Sequence, residues 1–303
     1  MLSRVKHFLR GVMARCLARV LPRSIMRDER YFDLWQARGY HVMPVSFYNP
    51  IPDTSDIPPE HFDKVFDLVG IDLREAAQVA LFQSFHARFL DEVSRLTTPV
   101  PQGIDWFMLH GMVRTLRPAQ VIEIGSGAST EVTAAALALN AEEAGFAGQF
   151  TAIEPFPSDT LRRGFAGLDK LLDVPVQKIP LAMFEALGPN DLLFIDSSHM
   201  VKIGSDAQYE FLEILPRLQP GVVVHVHDIF FPHDYGRDFI LRQKAFWNEQ
   251  YILQAFLAFN RTFRVDWCSS WMMHRHGEML TGSGIAGARR SARPGSLWMR
   301  RMA

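Results

Sequence analysis

Four polar side chains end two apolar runs and have the types needed for proton transfer or cation binding. The run D-L-L-F-I-D-S-S-H-M presents Asp196 and His199, and the run G-V-V-V-H-V-H-D presents His227 and Asp228. An aspartate after four buried residues is costly unless it caps, pairs or binds something. If the two runs are adjacent strands, all four side chains lie within reach of one small volume. An imidazole there could act as a base near neutral pH.

A glycine turn follows an earlier apolar run, V-I-E-I-G-S-G-A-S-T. Gly125 and Gly127 let the chain turn sharply and let a ligand lie against bare backbone, and Ser129 or Thr130 can cap the next helix. A dinucleotide-binding fingerprint would have glycine where Thr130 stands. Here an acid, Glu123, also comes two residues before the first glycine.

The next apolar run ends T-A-I-E-P and places Glu154 27 residues beyond Gly127. A carboxylate at the tip of this strand can accept hydrogen bonds from both hydroxyls of a ribose. An exposed glutamate at a strand end with no ligand is the alternative. The spacing from the glycine turn favours a nucleoside site.

The elements that must position these residues are short apolar runs alternating with longer amphipathic ones. Strands are predicted at 120–124, 149–153, 174–179, 191–195 and 222–227, and helices at 129–143, 158–167, 203–217 and 239–259. This alternation is typical of an α/β protein with a doubly wound, mostly parallel sheet covered by helices. The runs F-R-V-D-W-C and W-M-M-H-R-H predict an antiparallel C-terminal hairpin that closes the sheet.

Four segments are expected along the chain. Residues 1–27 form a basic amphipathic helix, 28–117 a helical and proline-rich extension, 118–278 the main domain and 279–303 a disordered basic tail. Within the extension, helical patterns run to about Thr97 and again to Leu116. The five prolines of residues 40–60 exclude a regular helix.

Charge is unevenly distributed over the 303 residues, although the net charge is only −1. Residues 1–27 and 279–303 hold seven and five basic residues and no acid; removing these twelve from 32 leaves 20 bases against 33 acids, or −13 for the remainder. An acidic body is a poor nucleic-acid-binding core, although the basic ends could contact an anionic surface.

The expected location is cytoplasmic. Cys16 and Cys268 have no disulfide-scaffold or metal-binding spacing, and the sequence has neither a signal-peptide pattern nor an apolar run of 18 residues. The N-terminal helix could dock on the protein's own core, on a second subunit of a homo-oligomer, or peripherally on anionic lipid.

Together, the motifs I-E-I-G-S-G-A-S-T, I-E-P-F-P, F-I-D-S-S-H and H-V-H-D-I-F-F-P resemble the class I S-adenosylmethionine-dependent methyltransferases. Within that class they are similar to the bacterial small-molecule and sugar O-methyltransferases, as is W-N-E-Q-Y at 247–251. The resemblance covers about residues 120–275. It implies a Rossmann-like fold, S-adenosyl-L-methionine as cofactor and a small-molecule acceptor such as a sugar or natural product.

The resemblance also implies roles for individual residues. Glu123, Gly125, Ser126, Gly127, Ser129 and Thr130 would surround the methionine part of the cofactor, with Glu123 near its amino group. Glu154 would hold the ribose, Asp196 would border the cofactor, and the adenine would lie near Ile179 to Ala182.

Some relatives bind Mg²⁺ through carboxylates, which implies a metal site at Asp196, Asp228 and His227, with His199 as general base and Asp196 and Asp228 among the catalytic residues. Three other functions stay open: a nucleoside-binding protein without catalysis, a metal-dependent hydroxylase using the His/Asp cluster, and a nicotinamide oxidoreductase.

Overall fold

The computed structural model describes residues 2–20, 25, 28–96, 102–145, 148–289 and 291–302. The chain divides into two compact units, Met1–His61 and Phe62–Ala303. In the first unit, α1 is Leu2–Val20, a 3₁₀ turn covers Glu29–Tyr31 and α2 is Phe32–Gln36. The proline-rich segment is irregular until a 3₁₀ turn at Pro59–Asp63, and its Phe47 and Tyr48 are exposed.

The second unit is an α/β sandwich whose helices and strands alternate. Its α-helices are α3 Glu75–Ser94, α4 Ile104–Leu116, α5 Ala128–Ala144, α6 Asp159–Arg163, α7 Ala182–Glu185, α8 Asp206–Tyr209, α9 Glu249–Leu257 and α10 Ser269–Thr281. Its strands are β1 Gln120–Ile124, β2 Gln149–Ile153, β3 Lys170–Leu172, β4 Leu192–Ile195, β5 Val223–Val226, β6 Phe263–Cys268 and β7 Leu297–Arg301. Shorter turns are 3₁₀ at Val176–Lys178 and Leu215–Arg217 and π-helical at Glu210–Ile214 and Asp238–Gln243.

Among the described residues these strands form one seven-stranded sheet in the order β3-β2-β1-β4-β5-β7-β6. Strands β1 to β5 are parallel, and β7 is antiparallel to both β5 and β6. The strand order reverses between β1 and β4, which is where open α/β sheets bind ligands beyond the carboxyl ends of their strands.

Alternate side chains of each strand enter different apolar clusters on the two faces of the sheet. Ile122, Leu193 and Val224 lie in one cluster, whereas Val121, Phe194 and Val223 lie in the other. Both faces are covered, which explains the continuous apolar runs seen in the sequence. The predicted doubly wound, mostly parallel sheet is confirmed.

The domain boundary predicted at 117/118 differs from the structure, because the compact unit with the sheet begins at Phe62. Helices α3 and α4 belong to that unit. Phe82 and Phe107 from these helices share a buried cluster with Val121 and Trp267 of the sheet. Burial of these aromatic rings against the sheet joins the helices to it.

The prediction of a disordered tail over 279–303 is wrong. Helix α10 extends to Thr281, and β7 lies inside the sheet with Leu297, Trp298 and Met299 fully buried. The strand is too short and too close to a Gly/Ser/Arg-rich segment to be recognised by composition. Its three apolar residues are the signal that identifies it in retrospect.

The closing antiparallel pair exists, but its second strand was assigned to the wrong residues. β6 pairs with β7, whereas W-M-M-H-R-H belongs to α10. Ser269 and Met272 are both buried, as are Gly277 and Leu280, and residues three apart share a face in a helix but point to opposite faces in a strand.

The predicted strand at 174–179 is also wrong, because β3 is Lys170–Leu172 and Val176–Lys178 is a 3₁₀ turn. Pro175 and Pro180 bracket the segment, and proline cannot donate to a ladder.

Candidate functional site

The two glycines of the turn after β1 have different surroundings. Gly125 has φ of 80°, and a Cβ there would lie 1.8 Å from the backbone oxygen of Asp196, so the neighbouring strand end leaves no room for a side chain. Gly127 has extended backbone, and a Cβ there would meet nothing within 4 Å. Gly125 is therefore required by the fold, whereas Gly127 borders open space.

Glu123 lies beneath this turn and is fully buried. Ser129 Oγ donates to its Oε1 over 2.6 Å, and Oε2 has no partner among the described residues. Burial, opposed by the hydrogen bonds of Ser129 and Thr130, raises the pKa of Glu123 to about 8. An unpartnered buried carboxylate oxygen is costly, and a cationic group nearby would stabilise it.

The two hydroxyl residues after the turn hold it in place. Ser129 orients Glu123, and Thr130 Oγ1 accepts a hydrogen bond of 3.1 Å from the Gly127 backbone N–H at the start of α5. Both residues are buried. Their hydroxyls are thus bonded within the protein, and the structure places them as supports of the turn.

Glu154 is fixed at the end of β2 by two backbone N–H groups. Ser126 donates to Oε2 over 3.1 Å and Phe156 donates to Oε1 over 2.8 Å. The Ser126 hydroxyl is buried without a hydrogen-bond partner among the described residues. Glu154 therefore links the ends of β1 and β2.

A cavity of about 390 Å³ lies at these strand ends. Its lining includes Gly125, Glu154, Phe156, Val176, Gln177, Asp196 and Ser197. The third-strand loop contributes Pro175–Gln177, in place of the expected residues Ile179 to Ala182. Ile179 is instead buried, and its carbonyl accepts a hydrogen bond from Tyr209.

The structure brings together the four polar residues at the ends of β4 and β5. His199 Nε2 lies 3.5 Å from Asp196 Oδ1 and 3.6 Å from Asp228 Oδ2. His227 Nδ1 lies 3.4 Å from Asp196 Oδ1 and 3.7 Å from Asp228 Oδ1. Each imidazole thus directs one nitrogen towards the same two carboxylates.

Three of these residues form a set that suits a divalent cation. Asp196, His227 and Asp228 each offer one ligand atom, and these atoms lie within 4.8 Å of one another. Two carboxylates and an imidazole are common ligands of such ions. Asp196 also lines the cavity beside Glu154, so the cavity and the ligand set share one residue.

Two carboxylates that the sequence did not single out lie behind the two imidazoles. Glu249 Oε2, fully buried at the start of α9, lies 2.8 Å from His199 Nδ1. Asp105 Oδ2 lies 4.0 Å from His227 Nε2. Glu249 lies within the recognised W-N-E-Q-Y run, but Asp105 belongs to α4 and carries no motif.

The same site contains backbone strain and shifted pKa values. The strain lies at His199 and Asp228, whose φ angles of 59° and 57° fall in the left-handed region that costs a residue other than glycine about 1–3 kcal/mol. Burial opposes a charged His227, but pairing with Asp196 and the charge of Asp228 outweigh it and raise its pKa to about 10. Likewise, burial opposes a charged His199, but Glu249 raises its pKa.

His225 takes no part in this cluster. It is buried between the rings of Phe194 and Trp298, with centroids 4.0 and 4.1 Å away, and its Nε2 lies 2.9 Å from Ser296 Oγ. Burial holds the pKa of His225 well below its ordinary value. It is therefore a neutral, structural histidine.

A second cavity has a volume of about 380 Å³, and one of its lining residues, Phe230, comes two residues after Asp228 in the chain. It is lined by Phe230, His233, Asp234, His274, Arg293 and others. In its wall, His233 Nε2 and His274 Nδ1 lie 3.3 Å apart, within hydrogen-bond distance. The cavity can therefore accept a polar molecule with an apolar face against Phe230.

Comparison with known proteins identifies the segment that carries the glycine turn and the His/Asp cluster. Residues 122–229 match the family model of a methyltransferase domain. An uncharacterized protein of Archaeoglobus fulgidus is 29% identical over 168 residues, which cover 48% of this chain and 74% of that protein.

Two solved structures show lower similarity. An O-methyltransferase from Bacillus cereus in complex with SAH aligns at 13% identity and a TM-score of 0.36, covering 75% of this chain and 90% of its own. A methyltransferase from Geobacter sulfurreducens aligns at 14% identity and a TM-score of 0.36, covering 77% and 99%.

Proposed function

We propose that this chain, a class I S-adenosylmethionine-dependent methyltransferase, transfers the methyl group to a hydroxyl oxygen of a small molecule. The observation that carries the proposal is the position of Asp196, which lines the cavity beside Glu154 and also faces His199, His227 and Asp228. A methyl donor in the cavity would thus meet an acceptor held at the His/Asp cluster.

Residues in the cavity wall and next to it suit the parts of the methyl donor: Glu154 lines the cavity, whereas Glu123 and Gly127 lie beside Gly125, which does. Glu154, already fixed by two backbone N–H groups, keeps lone pairs for the ribose hydroxyls. The unpartnered Glu123 oxygen would stabilise the donor's amino group, directly or through water. The open space at Gly127 admits a ligand against the backbone.

Methyl transfer breaks the bond from sulfur to carbon as the bond from oxygen to carbon forms, so alignment of donor and acceptor is the main requirement. The acceptor hydroxyl must also lose its proton. His199 Nε2 faces the two aspartates and would receive that proton, and Glu249 at Nδ1 would stabilise the resulting imidazolium.

Asp196, Asp228 and His227 would hold a divalent cation, consistent with the span of their ligand atoms. Such an ion would lower the pKa of an acceptor hydroxyl and orient it.

The second cavity is our candidate for the acceptor. Two residues of its wall lie next to the His/Asp cluster. Phe230 comes two residues after Asp228. Pro294 precedes Gly295, which packs so closely on Asp228 that a Cβ there would lie 3.0 Å from Asp228 Cα. Its histidines, Arg293 and an aromatic ring suit a polar small molecule such as a sugar or a polyketide-like ring.

Calorimetry with S-adenosylmethionine, S-adenosylhomocysteine and NAD tests the proposal. We expect both sulfur nucleosides to bind and NAD to give no heat. Glu154→Ala should weaken S-adenosylhomocysteine, because the ribose loses its acceptor, whereas the exposed Glu185→Ala should leave binding unchanged. Failure to bind either sulfur nucleoside would reject the proposal.

The same titrations separate the alternatives. A nucleoside-binding protein without catalysis would bind the sulfur nucleosides but transfer no methyl group from a radiolabelled donor to any acceptor in a panel of sugars and phenols. A metal-dependent hydroxylase would bind neither nucleoside and would consume oxygen. A nicotinamide oxidoreductase would bind NAD.

We place the protein in the cytoplasm, with peripheral contact to anionic lipid through α1. Among the described residues no helix is long and apolar enough to cross a membrane. Leu9, Met13 and Leu17 of α1 are exposed, and residues 1–27 hold seven bases and no acid. Exposed apolar side chains beside basic ones suit an anionic lipid surface.

A further inference from the structure

We infer that the ion held by Asp196, His227 and Asp228 is a first-row transition-metal ion and not Mg²⁺, and Mn²⁺ serves as the spectroscopic probe of this site. The inference rests on the proposed function, in which these residues bind a cation. It depends on one feature of the ligand set, which is the imidazole nitrogen of His227.

His227 faces the carboxylates as a ligand would. Its Nδ1 lies 3.4 Å from Asp196 Oδ1 and 3.7 Å from Asp228 Oδ1. Adjacent ligands about 2.1 Å from an octahedral ion are about 3 Å apart, so small movements would bring these three atoms around one ion. Mg²⁺ prefers oxygen ligands and retained water, whereas imidazole suits iron, nickel, copper and zinc.

The other side of His227 supports the same assignment. Its Nε2 faces Asp105 Oδ2 at 4.0 Å, and Asp105 is held in place by the backbone N–H groups of Gly295 and Ser296, at 2.8 and 3.2 Å. Metal-ligating histidines commonly have a carboxylate near their second nitrogen, which fixes the tautomer and the ring. Asp105 would need to approach His227 by about 1 Å to take that role, because 4.0 Å is beyond hydrogen-bond distance.

A second imidazole nitrogen faces the same carboxylates. His199 Nε2 lies 3.5 Å from Asp196 Oδ1 and 3.6 Å from Asp228 Oδ2, and Glu249 holds its Nδ1 at 2.8 Å. The space between the two aspartates is thus bordered by two nitrogens. This environment is poorly suited to Mg²⁺ and better suited to a first-row ion that accepts imidazole, such as Fe²⁺, Ni²⁺ or Zn²⁺.

Direct metal binding by the full-length protein, freed of metal by EDTA and dialysis, tests the inference. Mn²⁺ binding is followed by the EPR signal of the free ion, and Mg²⁺ binding by competition. Electron spin-echo modulation of the Mn²⁺ complex then reports whether a ¹⁴N nucleus is a ligand. We expect one Mn²⁺ site, weak competition by Mg²⁺ and clear ¹⁴N modulation.

Two variants assign the nitrogen to His227. His227→Gln should lose most of the ¹⁴N modulation and weaken Mn²⁺ about tenfold or more, at least the loss typical of removing a supporting residue. His227→Glu supplies an oxygen ligand and should lower the ratio of Mn²⁺ to Mg²⁺ affinity. His276→Gln changes another half-buried histidine, 2.8 Å from Glu75, and should leave both affinities unchanged.

Three results would overturn the inference: Mg²⁺ binding as tightly as Mn²⁺, ¹⁴N modulation that persists in His227→Gln, or no metal binding by a protein that binds S-adenosylhomocysteine. In the last case His227 pairs with Asp196 as a cation, and the methyltransferase function stands. If the protein binds Mn²⁺ through nitrogen but binds no sulfur nucleoside, the proposed function is rejected. The assignment of Asp196, His227 and Asp228 as metal ligands then still holds. S-adenosylhomocysteine affinity also shows that each variant is folded.

Discussion

Two glycines in one turn give a matched pair of substitutions at the scale of single residues. Gly125→Ala would place a Cβ 1.8 Å from the Asp196 backbone oxygen at a φ of 80°. The conformation alone costs about 1–3 kcal/mol, and the close contact adds to it. We expect a clear fall in melting temperature.

Gly127→Ala should behave differently, because its Cβ would enter open space. Melting temperature should stay close to that of the native protein, while the affinity for S-adenosylhomocysteine falls because the methyl group occupies ligand space. Thermal melting and calorimetry on both variants measure the contrast. Unchanged nucleoside affinity in Gly127→Ala would show that the nucleoside does not contact this turn.

The buried acid Glu123 predicts a pH dependence of stability. Its pKa is raised from 4.5 to about 8, so between these values the folded protein holds a proton that the unfolded chain has lost. Its contribution to stability is therefore full below about pH 4.5 and decreases as pH rises through 8.

Glu123→Gln should remove this part of the pH dependence. Within that window the free energy of unfolding of the native protein should fall more steeply than that of the variant, by up to about 1.4 kcal/mol per pH unit. Urea unfolding of both proteins at pH 6 and pH 8, without nucleoside, gives the two slopes. Parallel slopes would show that Glu123 is ionised in the folded protein.

Much of the candidate site was predictable from residues that follow apolar runs. Glu154, Asp196, His199, His227 and Asp228 all come within four residues after a strand, where a parallel sheet gathers them at one edge. Supporting residues follow no such rule. Asp105 reaches His227 from a helix outside the recognised motifs, so only tertiary packing reveals it.

Among the elements, the apolar strands and the helix at 129–143 were predictable, whereas the helix predicted at 239–259 is interrupted at 244–248 and the closing strand was missed. β1, β2, β4 and β5 fall where the apolar runs predict them. β7 has only five residues and lies in a segment whose composition indicates disorder. Its partners β5 and β6 supply the ladder on both sides, so tertiary pairing decides its conformation.

The position of β7 predicts that the C-terminus is essential for stability. Trp298 is fully buried and its ring stacks on His225 at 4.1 Å. Trp298→Ala should cost about 3–5 kcal/mol, the usual range for a buried large aromatic. Met302→Ala, on a half-exposed residue beyond the strand, should change stability by less than about 0.5 kcal/mol.

Urea denaturation of the two variants measures these costs. A chain ending at residue 288 should fail to fold, because the truncation removes the strand between β5 and β6. A truncated protein that melts cooperatively at the native temperature would show that the sheet does not need β7.

At the scale of the whole molecule, basic charge is concentrated at the N-terminus. The C-terminal arginines are partly used inside the fold, since Arg300 Nη1 donates to Asn190 over 2.9 Å and to the Gly221 carbonyl over 3.0 Å. Arg10, Arg15 and Arg19 of α1 have no ion pair among the described residues. We therefore expect the arginines of α1 to provide most of the electrostatic attraction to an anionic surface.

Sedimentation with lipid vesicles tests this role of α1. We expect binding to phosphatidylglycerol-containing vesicles that weakens as salt screens the arginines. Leu9→Gln combined with Met13→Gln should abolish it, because burial of such side chains contributes about 1.5–3 kcal/mol each. Ala14→Gln, also exposed on α1 but on a different face, should bind like the native protein.

Two outcomes would assign α1 another role. Equal binding to neutral vesicles would show that the arginines are not needed. A dimer in solution that dissociates in the Leu9→Gln and Met13→Gln protein would show that the apolar face contacts a second copy. Retained S-adenosylhomocysteine binding in both variants would separate this contact from the nucleoside site, because the cavity at the ends of β1 and β2 is lined by residues of the Phe62–Ala303 unit.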